Sequence, residues 1–213
     1  MVNNCQPRFV DNCFLLFIIV LGPKENTMTH STEATMKNHL NTKDYALVGL
    51  FVSLMAICAW ITIPSAVPFT MQTFGVFLAC ALLGGKRGTL TVVIYILLGA
   101  IGLPVFSGFT GGFGHIMGPT GGYILGFIGS ALVMWLFEKL WGADRKTLII
   151  SMALGLLVCY AFGTAWFIIV YTKNTGPVGL ATALSWCVIP YIVPDALKIA
   201  LAALLTRRLK SFI

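Results

Sequence analysis

Asp195 and Lys198 stand three residues apart inside an otherwise apolar stretch near the end of the chain. The other charged residues keep to the connections between apolar stretches. A charge in a bilayer costs roughly 2.5–3.5 kcal/mol on insertion scales, so it normally faces a partner or a polar cavity. Three residues apart on a helix, two side chains share one face. A carboxylate accepts hydrogen bonds and an ammonium donates them, so the pair reads as a binding site for a polar ligand. The run Pro190-Tyr191-Ile192-Val193-Pro194 precedes it. Proline suits the first turn of a helix, and an acidic residue there suits the helix dipole. Asp195 is therefore expected to open the continuous part of its helix at the rim of a cavity. The alternative is a salt bridge that only ties this segment to its neighbours, although such a pair stabilises poorly compared with apolar packing.

Two other segments carry groups that recognise ligands. In the stretch from Pro64 to Gly75, Pro64 and Pro68 discourage regular helix, and Thr70, Gln72 and Thr73 lie beside Phe69 and Phe74. The stretch from Gly102 to Tyr123 is dense in glycine, including Gly111 and Gly112, and is interleaved with Phe106, Phe109, Phe113 and Tyr123. Glycine lets backbone approach a ligand closely, and exposed amides can hold an anion without a fixed cation. A gated lid over an outward-facing pocket fits this composition, with a compact re-entrant loop as the alternative. His115 has no histidine or carboxylate companion nearby, so no metal site is expected.

The elements that position these groups must be membrane helices. Hydrophobic residues make up 58% of the chain and charged residues 10%, and mean hydropathy is +0.90. A soluble domain carries about a quarter charged residues. The reading is an all-α integral membrane protein with six transmembrane helices, near 46–63, 72–83 with flanks, 89–103, 121–140, 148–171 and 180–205. The last is expected to break at Pro190 and Pro194. Basic residues concentrate before the first span, between the second and third, between the fourth and fifth, and after the sixth, which places both termini in the cytoplasm. The net charge of +7 reflects that orientation rather than nucleic-acid binding. Residues 37–213 form one membrane domain. Residues 1–36 read as a flexible extension or an upstream start, because the apolar run 14–21 is too short to span. The six cysteines (Cys5, Cys13, Cys58, Cys80, Cys159 and Cys187) form no CxxC pair and read as free thiols. There is no HExxH, no paired intramembrane aspartate, no serine with a histidine partner in a span, and no phosphate loop. An enzyme is not expected, and transport driven by ATP would need a separate ATPase.

Small residues recur at helical spacing on two spans. Gly118, Gly122, Gly126 and Ser130 form one stripe, and Ala46, Gly49, Ser53 and Ala56 form another. Such stripes let helices pack closely in lipid. Packing within the chain explains both, and the stripe on the first span could instead dock a partner subunit.

Five blocks, in order, resemble the BioY family: Val67-Pro68-Phe69-Thr70-Met71-Gln72-Thr73, Leu83-Gly84-Gly85-Lys86-Arg87-Gly88, Gly99-Ala100-Ile101-Gly102-Leu103-Pro104-Val105-Phe106, Gly118-Pro119-Thr120-Gly121-Gly122-Tyr123 and Pro194-Asp195-Ala196-Leu197-Lys198. The resemblance covers about residues 45–210. It implies an S-component-like bundle that captures extracellular biotin for an energy-coupling factor (ECF) transporter in the cell membrane. It also implies a transmembrane T subunit and two cytoplasmic ATPases as partners, biotin as transported ligand rather than cofactor, and docking through Ala46, Gly49, Ser53 and Ala56.

The residue chemistry agrees with biotin. Its ureido ring offers two N–H donors and one carbonyl, matching Asp195 and Lys198. Its fused rings and tail suit Trp60, Phe69, Phe74, Tyr95, Phe106 and Tyr123. No arginine lies between Gly88 and Thr120 for the tail carboxylate, which leaves Gln72, Thr70 and the amides of Gly111 and Gly112. Charge-assisted bonds in a dry pocket give an expected nanomolar affinity, about −12 kcal/mol. The alternatives are an S component for another small vitamin and a stand-alone proton-coupled carrier.

Overall fold

A computed structural model describes residues 42–63 and 68–210. The 1–36 extension, with Cys5 and Cys13, and residues 64–67 of the first loop lie outside the described residues. Helix α1 is Thr42–Trp60, and it leads into a two-residue antiparallel hairpin of β1 (Thr62–Ile63) and β2 (Phe69–Thr70). Helices α2 (Gln72–Leu83) and α3 (Gly85–Ala100) follow. The glycine-rich connection then forms a 3-10 turn, Ser107–Phe109, and a short helix α4, Phe113–Met117. Helices α5 (Gly121–Trp141) and α6 (Arg145–Asn174) pair along their length. The chain ends in α7 (Leu180–Cys187), a 3-10 turn Ile189–Tyr191, and α8 (Ile192–Leu209).

Among the described residues, four segments are long and apolar enough to cross a membrane: α1, α5, α6 and the broken stretch Leu180–Leu209. Helix α2 has 12 residues, so it rises about 18 Å against a hydrocarbon core of about 30 Å. Every residue of α2 except Thr73 is buried, so it is the central rod on which α1, α3 and α8 pack rather than a lipid-facing helix.

The break in the last segment falls where proline predicts it. Pro190 lies in the first turn of the 3-10 helix, which separates α7 from α8. Pro194 lies in the first turn of α8, where the amide it lacks would have had no intrahelical partner. Asp195 thus sits in the first turn and Lys198 one turn further, both 4% exposed.

The stripe on α5 works inside the chain. A Cβ on Gly122 would lie 2.2 Å from Trp166 Cβ, and the Ser130 hydroxyl donates to the Gly155 carbonyl of α6 at 2.7 Å. The stripe on α1 is different. Ala46, Gly49 and Ser53 are exposed, a Cβ on Gly49 would meet nothing within 4 Å, and Ala56 is buried. At the opposite end of the bundle from the hairpin, Arg87 pairs with the buried Asp44 at 3.0 Å, and the Gly85 amide donates to Glu138 of α5. These contacts fix the α2–α3 elbow against α1 and α5.

Candidate ligand-binding site

The hairpin, α2, α5, α6 and the α7–α8 break converge on a cavity of about 610 Å³, counted with the solvent space that opens onto it. The buried charge pair forms one wall, because the break after Cys187 brings the first turn of α8 to the cavity.

Lys198 is fully engaged. Its ammonium has three protons. They go to Asp195 Oδ1 at 2.6 Å, the Thr70 carbonyl at 2.7 Å and Thr73 Oγ1 at 3.2 Å. The Phe69 ring covers it, with Nζ 4.1 Å from the centroid, and Phe69 in turn stacks on Tyr191. Lys198 therefore fastens the β1–β2 hairpin to α8.

Asp195 is nearly but not fully satisfied. A carboxylate has about four acceptor positions. Oδ1 accepts from Lys198 and from the Thr73 hydroxyl at 3.4 Å, and Oδ2 accepts from the Tyr160 hydroxyl of α6. One position on Oδ2 remains for a ligand donor. The three protein donors hold the carboxylate in one orientation, which is what a directional contact to a ligand N–H requires.

The residues singled out in the sequence divide into two groups. Asp195, Lys198, Thr70, Gln72, Phe69 and Tyr123 meet around the cavity. Gln72 Nε2 donates to the Tyr95 hydroxyl at 2.8 Å, which donates to the Val105 carbonyl at 2.7 Å, so Tyr95 supports the wall from behind. Phe74 and Phe106 are buried in the core, with Phe106 edge-on to Tyr95. Trp60 donates to the Pro104 carbonyl at 2.9 Å and stacks on Phe109 at 4.7 Å, which places it against the glycine-rich connection. Gly111 packs against the Leu103 carbonyl, where a Cβ would lie 2.2 Å away. The Gly112 amide donates to the Gly99 carbonyl at 2.7 Å and is thereby engaged.

Sequence reasoning passed over Tyr160, although a hydroxyl in the middle of an apolar span is itself a signal. It offered Thr73 as a hydrogen-bonding group of the loop but did not place it among the ligand-binding residues. Both touch Asp195.

His115 Nδ1 lies 3.2 Å from Thr110 Oγ1, its ring stacks on Phe106, and Nε2 is buried without a hydrogen-bond partner among the described residues. Burial lowers its pKa below the ordinary 6.5. No group of three or more potential metal-binding side chains occurs among the described residues, and Cys58, Cys80, Cys159 and Cys187 are free and buried.

Membrane-length helices around a cavity walled by a buried ion pair define a multi-pass membrane protein with a polar pocket among its helices. A family model described as the BioY family matches residues 31–213, and the chain belongs to that family. A probable biotin transporter BioY of Pyrococcus horikoshii is 40% identical over 172 residues, covering 80% of this chain and 98% of the relative. The biotin transporter BioY of Thermotoga maritima is 42% identical over 167 residues, covering 76% and 92%. The crystal structure of the S-component for biotin from an ECF-type ABC transporter superimposes with a TM-score of 0.72 at 26% identity, covering 83% of this chain and 95% of that one.

Proposed function

We propose that this chain captures biotin in the cavity beside Asp195 and Lys198, as the substrate-binding S component of an ECF transporter. The observation that carries the reading is the single acceptor position left on the otherwise satisfied Asp195 carboxylate. A ureido ring presents a donor and an acceptor side by side. One ring N–H takes the open position on Oδ2. The ring carbonyl accepts a hydrogen bond from Lys198, most readily in place of the one now donated to Thr73 Oγ1 at 3.2 Å, the longest of the three. Phe69, Tyr123 and Phe127 then wall the apolar rings and tail.

The chain has no enzymatic role in this reading. In this reading α1, α2 with the connections that flank it, α3, α5, α6 and the broken α7–α8 stretch make six passes through the cell membrane, both termini are cytoplasmic, and the cavity opens outward. The exposed small face of α1 at Ala46, Gly49 and Ser53, continued by Ala56, docks the T subunit, and two cytoplasmic ATPases supply the energy. Calorimetric titration of the detergent-purified chain with biotin, beside Asp195→Asn, tests the ligand. Tight one-to-one binding that the variant loses is expected. Equal binding by both proteins would move the site elsewhere.

A further inference from the structure

Among its described lining residues the cavity carries no net charge. Lys198 is the only ammonium or guanidinium among its described lining residues, and Asp195 neutralises it at 2.6 Å. The undescribed part of the hairpin connection is Pro64-Ser65-Ala66-Val67, which adds no cation. The basic groups nearest in sequence do not help. Lys173 is exposed at the end of α6 and outside the cavity lining, and the His115 ring packs on Phe106 with its pKa lowered by burial.

This bears on the two ends of the ligand differently, and the argument rests on the biotin reading above. Asp195 and Lys198 touch each other, so one ureido head covers both. A carboxylate at the far end of the tail is then left with neutral groups. The polar candidates away from the pair are Ser107 and Thr120, with Gln72 already donating to Tyr95 and the Gly112 amide already donating to Gly99. An anion without a cation partner stays with its water at the cavity mouth, because drying it uncompensated is costly.

We infer that the site holds its ligand by the ureido ring and does not read the charge of the tail, so its substrates include neutral, tail-blocked biotin derivatives such as the primary amide and short esters. Blocking the carboxylate removes no ion pair and leaves no buried cation behind. A site built around a polar group behaves otherwise and rejects the analogue lacking it by about 10⁴–10⁵-fold.

The test is calorimetric titration of the full purified chain with biotin, its primary amide and its methyl ester, with Asp195→Asn titrated alongside and its folding checked by thermal melting. Amide and ester binding within about tenfold of biotin supports the inference. A loss of more than about a hundredfold for both derivatives overturns it. If biotin itself still binds one-to-one and Asp195→Asn still abolishes that binding, the ring reading survives the loss. No binding of any of the three to a folded chain overturns the inference and the biotin reading together.

Discussion

Removing Lys198 alone and removing the whole charge pair should have opposite consequences. In Lys198→Met the Asp195 carboxylate, 4% exposed, loses its cation at 2.6 Å and keeps only the hydroxyls of Thr73 and Tyr160. Breaking a buried pair in this way costs about 3–5 kcal/mol, whereas replacing both partners with well-packed apolar groups of similar volume is often neutral or stabilising. At about 2–4 °C per kcal/mol for a chain of this size, Lys198→Met should melt about 6–20 °C below the parent chain. The double variant Asp195→Leu/Lys198→Met should return to within about 4 °C, because no charge is then left buried. Neither variant should bind ligand. Thermal melting in detergent, read by intrinsic fluorescence, measures the first property, and calorimetry the second. If the double variant melts as low as the single one, the pair is a structural tie. If Lys198→Met melts with the parent, the carboxylate is not a buried partner of that lysine.

Other expectations are more local. Tyr160→Phe removes the hydroxyl that orients Asp195 Oδ2, and a hydrogen bond to a charged group is worth about 1.5–3 kcal/mol, so calorimetry should show ligand affinity falling at least about tenfold; unchanged affinity would show that Tyr160 does not orient the carboxylate. Gly49→Leu adds a side chain where a Cβ meets nothing within 4 Å. It should leave melting and ligand binding unchanged while reducing co-purification with a T subunit, and full co-purification would remove α1 as the docking face. His115 has a lowered folded pKa, so the unfolded chain takes up its proton first. Stability from the neutral ring is complete above the ordinary 6.5 and is lost as pH falls below it toward the lowered folded value. His115→Gln should therefore flatten the fall in melting temperature between neutral and mildly acidic pH, and an unchanged slope would assign that fall to other groups.

The helices were legible because apolar length and proline are strong signals. Helix α2 and the start of α5 fall where the sequence places them, and Pro190 breaks the last segment as expected. The ends of α6 were less legible. It runs Arg145–Asn174, past the apolar run at both ends, because long polar side chains continue a helix beyond the hydrocarbon core. The hairpin was invisible, since two-residue strands have no measurable period, and α4 is one short turn hidden among glycines.

Within the site, charge was easier to read than aromaticity. A charged pair in an apolar segment has few places to go, and Asp195 and Lys198 are where that constraint puts them. Phe69, Phe74, Phe106 and Trp60 are equally apolar, and only the packed structure distributes them among cavity wall, core and outer connection. Tyr160 and Thr73 reach Asp195 from α6 and α2, contacts that span 35 and 122 residues of sequence and that no local pattern announces.

A structure of the chain with bound biotin tests the assignment most directly. The expected result is a ring N–H within about 2.7–3.2 Å of Asp195 Oδ2, and the ring carbonyl at the same range from Lys198 Nζ. Biotin bound with its ureido ring away from Asp195, or its carboxylate on Lys198, would contradict it.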